Sequence, residues 1–334
     1  MTGMDRAPAD ESFLLRRAAV WADRETLASL TPARVADVAR DHGCGFATAL
    51  LYACVRQAHS AAHAIALENP RRPAVAGVPE ILIVPGAFHR ERMNTGADGR
   101  RLQALLASLG YRSTILETES FGALRTNARA LLDFLSRGQE EILLCALSKG
   151  ASEIKTALGM EGTAPFSRVR GCITLSGLWN GTPYVTWMRQ RKLRFLGIRL
   201  LFACRGYGMS SMHEIESHEG SALDFEPALP SGFRLVHIVG FPLERHLTTP
   251  MAKRAQRRLQ TLGPSDGGGI LLADAARFPG TLLPIWGADH YLQPAALVAP
   301  VIEGAIRLVL NAEFPYSQRR ATSGSTRDAR RAGM

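Results

Sequence analysis

EILLCALSKGA, residues 141–151, runs a continuous apolar segment straight into a serine. Ile142 to Leu147 has the pattern of a parallel strand covered on both faces, and the following KGASEIKTALGM reads as helix. Ser148 therefore falls at a strand-to-helix corner. A side chain there takes a strained backbone, so its neighbours at minus two and plus two must be small, and they are Ala146 and Gly150. This is a GxSxG nucleophile elbow with Ala for the first Gly. Such a corner lifts the hydroxyl above the sheet and aims the Lys149 backbone NH, backed by the positive end of a helix dipole, at a developing oxyanion. The same residues also suit an ordinary turn whose serine caps the helix.

Outward from this stretch, strands alternate with amphipathic helices from Glu80 onward, the rhythm of a parallel sheet. Strands are predicted at 80–86, 113–119, 141–148, 169–177, 233–240 and 281–287, and helices near 98–109, 122–137, 149–160, 248–262 and 294–311. The fold class is α/β, a mostly parallel sheet flanked by helices. Right-handed crossovers place every loop that follows a strand along one edge, and Ser148 lies on it. Residues 12–66 read as helices, with Thr31 as N-cap and Pro32 at the first helical position. The expected organisation is a helical lead-in over 1–75, an α/β domain over 76–316 and a disordered basic tail over 317–334.

The chain of 334 residues is 46% hydrophobic, enough to cover a large core. Its five cysteines show no CxxC spacing, which argues against a zinc site and a disulfide framework. The first thirteen residues lack a basic segment followed by an apolar one, and no run approaches a membrane span, so a soluble cytoplasmic protein is expected. The net charge of +10 invites a nucleic-acid reading. Yet the last seventeen residues carry five Arg against one Asp, and charge on a tail is not a binding groove.

A serine hydroxyl needs a base and an acid on the same edge. The last strand ends in WGADHY, which puts His290 just beyond it, in the chain order serine, acid, histidine. Asp266, in the Gly-rich SDGGG turn 24 residues earlier, leads as the acid, with Glu244 and Asp274 as alternatives. Asp289, beside the base, is expected to fix its own loop. A second oxyanion donor is expected from the first strand's loop, VPGAFHRERM, where Gly86 permits close approach of the Ala87 or Phe88 NH. His89 of that loop reads as exposed, with lining of the pocket as the alternative. His59 and His63, spaced i, i+4, and His213 and His218 with Glu214 and Glu219, resemble metal ligands on paper but lack partners on the edge, so no metal and no cofactor is expected.

The order ILIVPGAF, ALSKGA, SDGGG and GADHY resembles the α/β-hydrolase fold, in particular bacterial serine lipases and esterases with their acid in an NDG loop shortly before the His. A group of lipase-like hydrolases with Ser-Lys-Gly at the elbow is more similar still. In it an Asp-Gly loop, a Pro-Gly turn and an Ala-Asp-His segment follow in order, here Asp266-Gly267, Pro279-Gly280 and Ala288 to His290. The likeness covers residues 80–311 and implies the triad Ser148, Asp266 and His290. Ala146 departs from the usual Gly, and helices replace the two N-terminal strands common in that fold.

Residues 178–232 exceed what one crossover needs, so a cap is expected there. Its first half, 182–205, carries Arg189, Arg191, Lys192, Arg194, Arg199 and Arg205 with no acidic residue, among large apolar side chains. Over 185–202 it reads either as a lid helix, lying on an anionic membrane or shielding a hydrophobic acyl pocket, or as a helix packing one apolar face on the core, and any peripheral membrane contact is expected through 185–205. Trp179, Asn180 and Thr182 are expected to line the pocket. The function expected is hydrolysis of a small or lipid-like acyl ester through an acyl-enzyme. A thioesterase, an acyltransferase or a polyester depolymerase would use the same residues, and a non-catalytic hydrolase-like binding module is the reading from another class.

Overall fold

The structure, a computed structural model, describes residues 9–67 and 78–310. Six strands, β1 (Glu80–Val84), β2 (Ser113–Ile115), β3 (Ile142–Leu147), β4 (Val169–Leu175), β5 (Arg234–Phe241) and β6 (Thr281–Trp286), form one sheet in the order β2-β1-β3-β4-β5-β6. Every pairing is parallel. The chain steps outward from β1 to β2 and returns to β3, so the strand order reverses between β1 and β3. In open parallel sheets that crevice is where ligands bind, and the elbow opens onto it.

The strands read as apolar runs because both faces are covered. Leu82, Val84, Leu144, Ala146, Val239 and Phe241 point into one core, while Ile81, Ile83, Leu143, Cys145, Val236 and Ile238 point into the other, with the period of two a strand requires. The first core packs against α1 (Ala9–Ala22), α2 (Pro32–His42), α3 (Cys44–Ala58), α6 (Leu124–Arg137), α7 (Lys149–Glu161) and α12 (Leu272–Ala275). The second packs against α4 (Ser60–Leu67), α5 (Arg100–Ser108) and α13 (Ala295–Leu310). The N-terminal helices thus share their cores with the sheet. Thr31 caps α2, its Oγ1 accepting the Arg34 NH at 3.2 Å with Pro32 at the first helical position, as its sequence predicts.

β2 is shorter than its sequence suggests. Its NH and CO groups beyond Leu116 have no second strand to meet at this edge, and Asn127 of α6 takes over, donating to Glu119 O and accepting Glu119 NH, both at 3.0 Å. The insertion between β4 and β5 holds α8 (Pro183–Arg189), α9 (Lys192–Cys204) and α10 (Ser210–Glu214), and α11 (Pro250–Leu259) follows β5. Phe121, Leu124, Val185, Phe202, Met212, Ile215 and Leu223 form a separate apolar cluster under this cap. Among the described residues no helix is long and apolar enough to cross a membrane. The expected tail over 317–334 lies outside the described residues.

Candidate active site

β3 delivers Ser148 at φ 45° and ψ −112°, a region that costs a non-glycine residue about 1–3 kcal/mol. Three backbone bonds hold it there: Ser148 NH donates to Leu175 O at 3.0 Å, and Ser148 O accepts the NH groups of Leu178 at 2.9 Å and Ala151 at 3.2 Å. The neighbours fit because they are small. A Cβ on Gly150 would lie 2.6 Å from the Val84 carbonyl oxygen, and Ala146 is fully buried in the first core. Ser148 makes no side-chain cap to α7. Its hydroxyl faces His290 instead, Oγ to Nε2 at 3.1 Å. The choice between capping serine and presented hydroxyl is decided by that contact.

His290 comes from the loop after β6, which crosses the end of β5 where Gly240 has no side chain; a Cβ there would lie 2.2 Å from Ala288 O. Its Nδ1 donates to Asp266 Oδ2 at 2.5 Å, and its backbone NH donates to Asp266 O at 2.7 Å. Asp266 is fully buried in a tight loop closed by a bridge between Ser265 and Leu271. The other carboxylate oxygen, Oδ1, accepts the NH groups of Gly268, Gly269 and Ile270 at 2.9, 3.0 and 3.0 Å. Burial pushes the Asp266 carboxyl up, but His290 and the backbone NH bonds outweigh it and hold the carboxyl below its usual range. Burial likewise pushes the His290 imidazole down, and the Asp266 charge and hydrogen bond overcome it, so the net direction is up. The ring is thereby fixed with Nδ1 protonated and Nε2 facing the serine.

The structure brings Ser148, Asp266 and His290 into one hydrogen-bonded line. Glu244 is exposed in a 3-10 turn, and Asp274 sits in α12 with its carboxyl pushed up by burial; neither bonds His290. Asp289 fixes its loop, accepting the NH groups of Tyr291 and Gln293 at 2.9 and 3.1 Å. Gly86 approaches the elbow closely, a Cβ there meeting Leu147 O at 3.3 Å.

Several expectations are corrected. The Phe88 NH donates to Ser120 O at 2.8 Å, so it is already engaged, and its ring stacks on Phe121 with centroids 4.3 Å apart. His89 is buried rather than exposed, with Nδ1 bonded to Gly86 O at 3.1 Å across the β1 turn. Trp179 is buried beneath the site against His237, and Asn180 Oδ1 accepts from the buried Lys155 ammonium at 2.7 Å, so both serve the core. Thr182 reaches the acid loop, its Oγ1 donating to Gly269 O at 2.6 Å. A cavity of about 420 Å³ lies instead beside the β1 loop, lined by residues that include Arg90, Ser120, Phe121, Arg205 and Tyr207. Gly268 was not singled out in the sequence, although a Cβ on it would lie 1.9 Å from His290 Cγ. Its only sequence signal is its place in a run of three glycines.

Among the described residues no group of three or more His, Cys, Asp and Glu is set to hold a metal. His213 and His218 flank the buried Glu216, which accepts from Arg189 at 2.5 Å. His63 is buried, and among the described residues neither of its ring nitrogens has a hydrogen-bond partner.

No family model and no curated protein sequence matches the chain. Solved structures do. A metagenomic carboxyl esterase superposes with a TM-score of 0.51 at 18% identity, covering 72% of this chain and 79% of that one. The mature lipase BlEst2 from Bacillus licheniformis gives 0.49 at 15% identity, covering 71% and 91%. With the all-parallel sheet, the likeness to the esterase shows that the chain has the α/β-hydrolase fold.

Proposed function

We propose that the chain is a serine hydrolase of carboxylic esters, of carboxylesterase or lipase type. One observation carries this reading. A serine held at positive φ, free of any helix cap, donates to an imidazole whose far nitrogen donates to a carboxylate satisfied by three backbone NH groups. Structural serines do not need that chain of partners, whereas acyl transfer needs each link. The fold's esterase and lipase neighbours agree with it.

Ser148 Oγ attacks the ester carbonyl carbon while His290 Nε2 takes its proton. The carbonyl electron pair moves onto oxygen, which the NH groups of Lys149 and Ala87 receive. Lys149 opens α7, so the helix dipole adds to its amide, and with Phe88 NH turned to Ser120 the β1 loop offers Ala87. Collapse of the tetrahedral adduct breaks the C–O bond, and the imidazolium protonates the departing alkoxide. Water, deprotonated by His290, then attacks the acyl-enzyme, and the carboxylic acid leaves with Ser148 restored.

A fluorophosphonate probe with peptide mapping tests the reading. The adduct is expected on Ser148 and absent in His290→Ala, and Ser148→Ala should lower kcat for a short-chain nitrophenyl ester by at least about 10⁴-fold while keeping its fold. Full turnover in folded Ser148→Ala, or an adduct on another residue, would remove the mechanism.

A further inference from the structure

Helix α9 has two apolar faces. Phe195, Ile198 and Phe202 follow i, i+3, i+7 spacing and pack into the cap cluster, where the Phe202 ring meets Phe88 at 6.1 Å and Phe121 at 5.3 Å. Two residues out of phase, about 200° round the helix, Leu193, Leu196 and Leu200 repeat that spacing on the outside. They are 87%, 51% and 60% exposed, and Leu201 beside them is 46% exposed. A helix that only covered a core would carry polar residues there.

The charge beside this face has one sign. Lys192, Arg194 and Arg199 are exposed on its flanks and Arg205 follows its last turn. No acidic residue occurs between Glu161 and Glu214. Arg189 has its partner in Glu216, whereas Lys192, Arg194, Arg199 and Arg205 form no ion pair among the described residues. Arg191 and Arg194 stack on Trp187 at 3.8 and 5.4 Å, anchoring the start of the helix.

We propose that α9 is a docking surface for an anionic lipid bilayer. It lies in the plane of the interface, with Leu193, Leu196, Leu200 and Leu201 among the acyl chains and Lys192, Arg194 and Arg199 on headgroup phosphates. The occupant follows from charge: a second copy meeting the same face isologously would set these cations against themselves, whereas an anionic surface complements them. The inner side of the helix touches Phe88 in the loop after β1, the loop whose Gly86 approaches the elbow. The proposal does not rest on the ester-hydrolase reading.

Vesicle co-sedimentation of the full chain tests it. The protein should sediment with phosphatidylcholine vesicles containing about one-third phosphatidylglycerol, and not with phosphatidylcholine alone. Leu193→Gln/Leu200→Gln should weaken that binding about 100-fold, and Lys192→Gln/Arg199→Gln about 25-fold, because each cation near an anionic surface is worth about fivefold. Both variants should keep wild-type circular dichroism and wild-type fluorophosphonate labelling. Replacing the five tail arginines, Arg319, Arg320, Arg327, Arg330 and Arg331, by Gln should leave most of the binding in place. Wild-type vesicle binding by the leucine variant, loss of binding in the tail variant alone, or a dimer that Leu193→Gln/Leu200→Gln converts to monomer would each overturn the proposal.

Discussion

His290 sits between opposing influences, and the winner sets the pH range of the proposed reaction. Burial favours the neutral ring, while the Asp266 carboxylate at 2.5 Å and the charge of Asp289 favour the imidazolium, and the net effect lifts its pKa above 6.5. In the proposed reaction His290 must be neutral to take the serine proton. Activity therefore falls as pH drops through the folded pKa, and the acid limb of kcat/KM for a short-chain ester should lie above 6.5. Asp266→Asn should bring that limb down and cost on the order of 10⁴-fold in kcat, so a limb that stays put would contradict the assigned cause. Gly268 sets position where Asp266 sets charge. A methyl there would overlap His290 Cγ at 1.9 Å, and the ring would have to yield. Gly268→Ala should lower kcat by on the order of 100-fold with near-UV circular dichroism unchanged, since a misplacement of roughly 1 Å is enough for that loss.

At the scale of the element, α7 begins beside Ser148 with charges that never reach water. Lys149 and Glu153 are 1% and 2% exposed and paired along the helix, and Glu153 also accepts from Asn127 at 2.7 Å. Removing one partner strands the other, so Glu153→Ala should cost about 3–5 kcal/mol in urea unfolding, whereas Lys149→Met/Glu153→Leu should recover most of it. A double variant as unstable as the single one would show that the pair itself is the stabilising feature. Little of this was legible. Lys149 and Glu153 look like surface residues of an amphipathic helix until β1 and α6 close over them. The elbow, the strands and the Ser148, Asp266, His290 order were legible because apolar runs and small-residue rules are local in sequence. The Phe88 amide was misjudged because its acceptor, Ser120 O, comes from a loop that pattern alone does not bring near. Trp179 and Asn180 follow a strand end as pocket residues do, and only Lys155 and His237 beneath them reveal that they face the core.

Across the whole molecule, the N-terminal helices and the sheet form a common body. Ala18, Leu50 and Val55 share a core with Leu144 and Phe241, and Glu11 accepts from Trp286 Nε1 at 3.0 Å and His246 Nε2 at 2.8 Å. Each of the two cores holds a histidine that folding keeps neutral. His237 accepts from Thr174 Oγ1 at 2.7 Å and donates to Pro279 O at 3.0 Å, and burial pushes its pKa down to about 3. Burial pushes His63 on α4 down to about 4. Unfolded, both rings regain the ordinary 6.5. Below that pH the unfolded chain binds more protons than the folded one, so stability is full above pH 6.5 and falls as pH drops towards about 3. The depressed Asp266 adds to the loss on the acid side, while the raised His290 acts oppositely, its contribution being complete below 6.5 and lost as pH rises through its folded pKa. Urea midpoints should therefore drop between pH 7 and pH 5. His63→Leu replaces an imidazole with two unsatisfied nitrogens by an apolar group, and it should be no less stable than wild type at pH 7 and clearly more stable at pH 5. His237→Gln should also flatten the pH dependence, although it gives up the bonds to Thr174 and Pro279 and starts from a lower midpoint. If both variants keep the wild-type slope, the acid sensitivity belongs to the carboxylates and the two buried rings play no part in it.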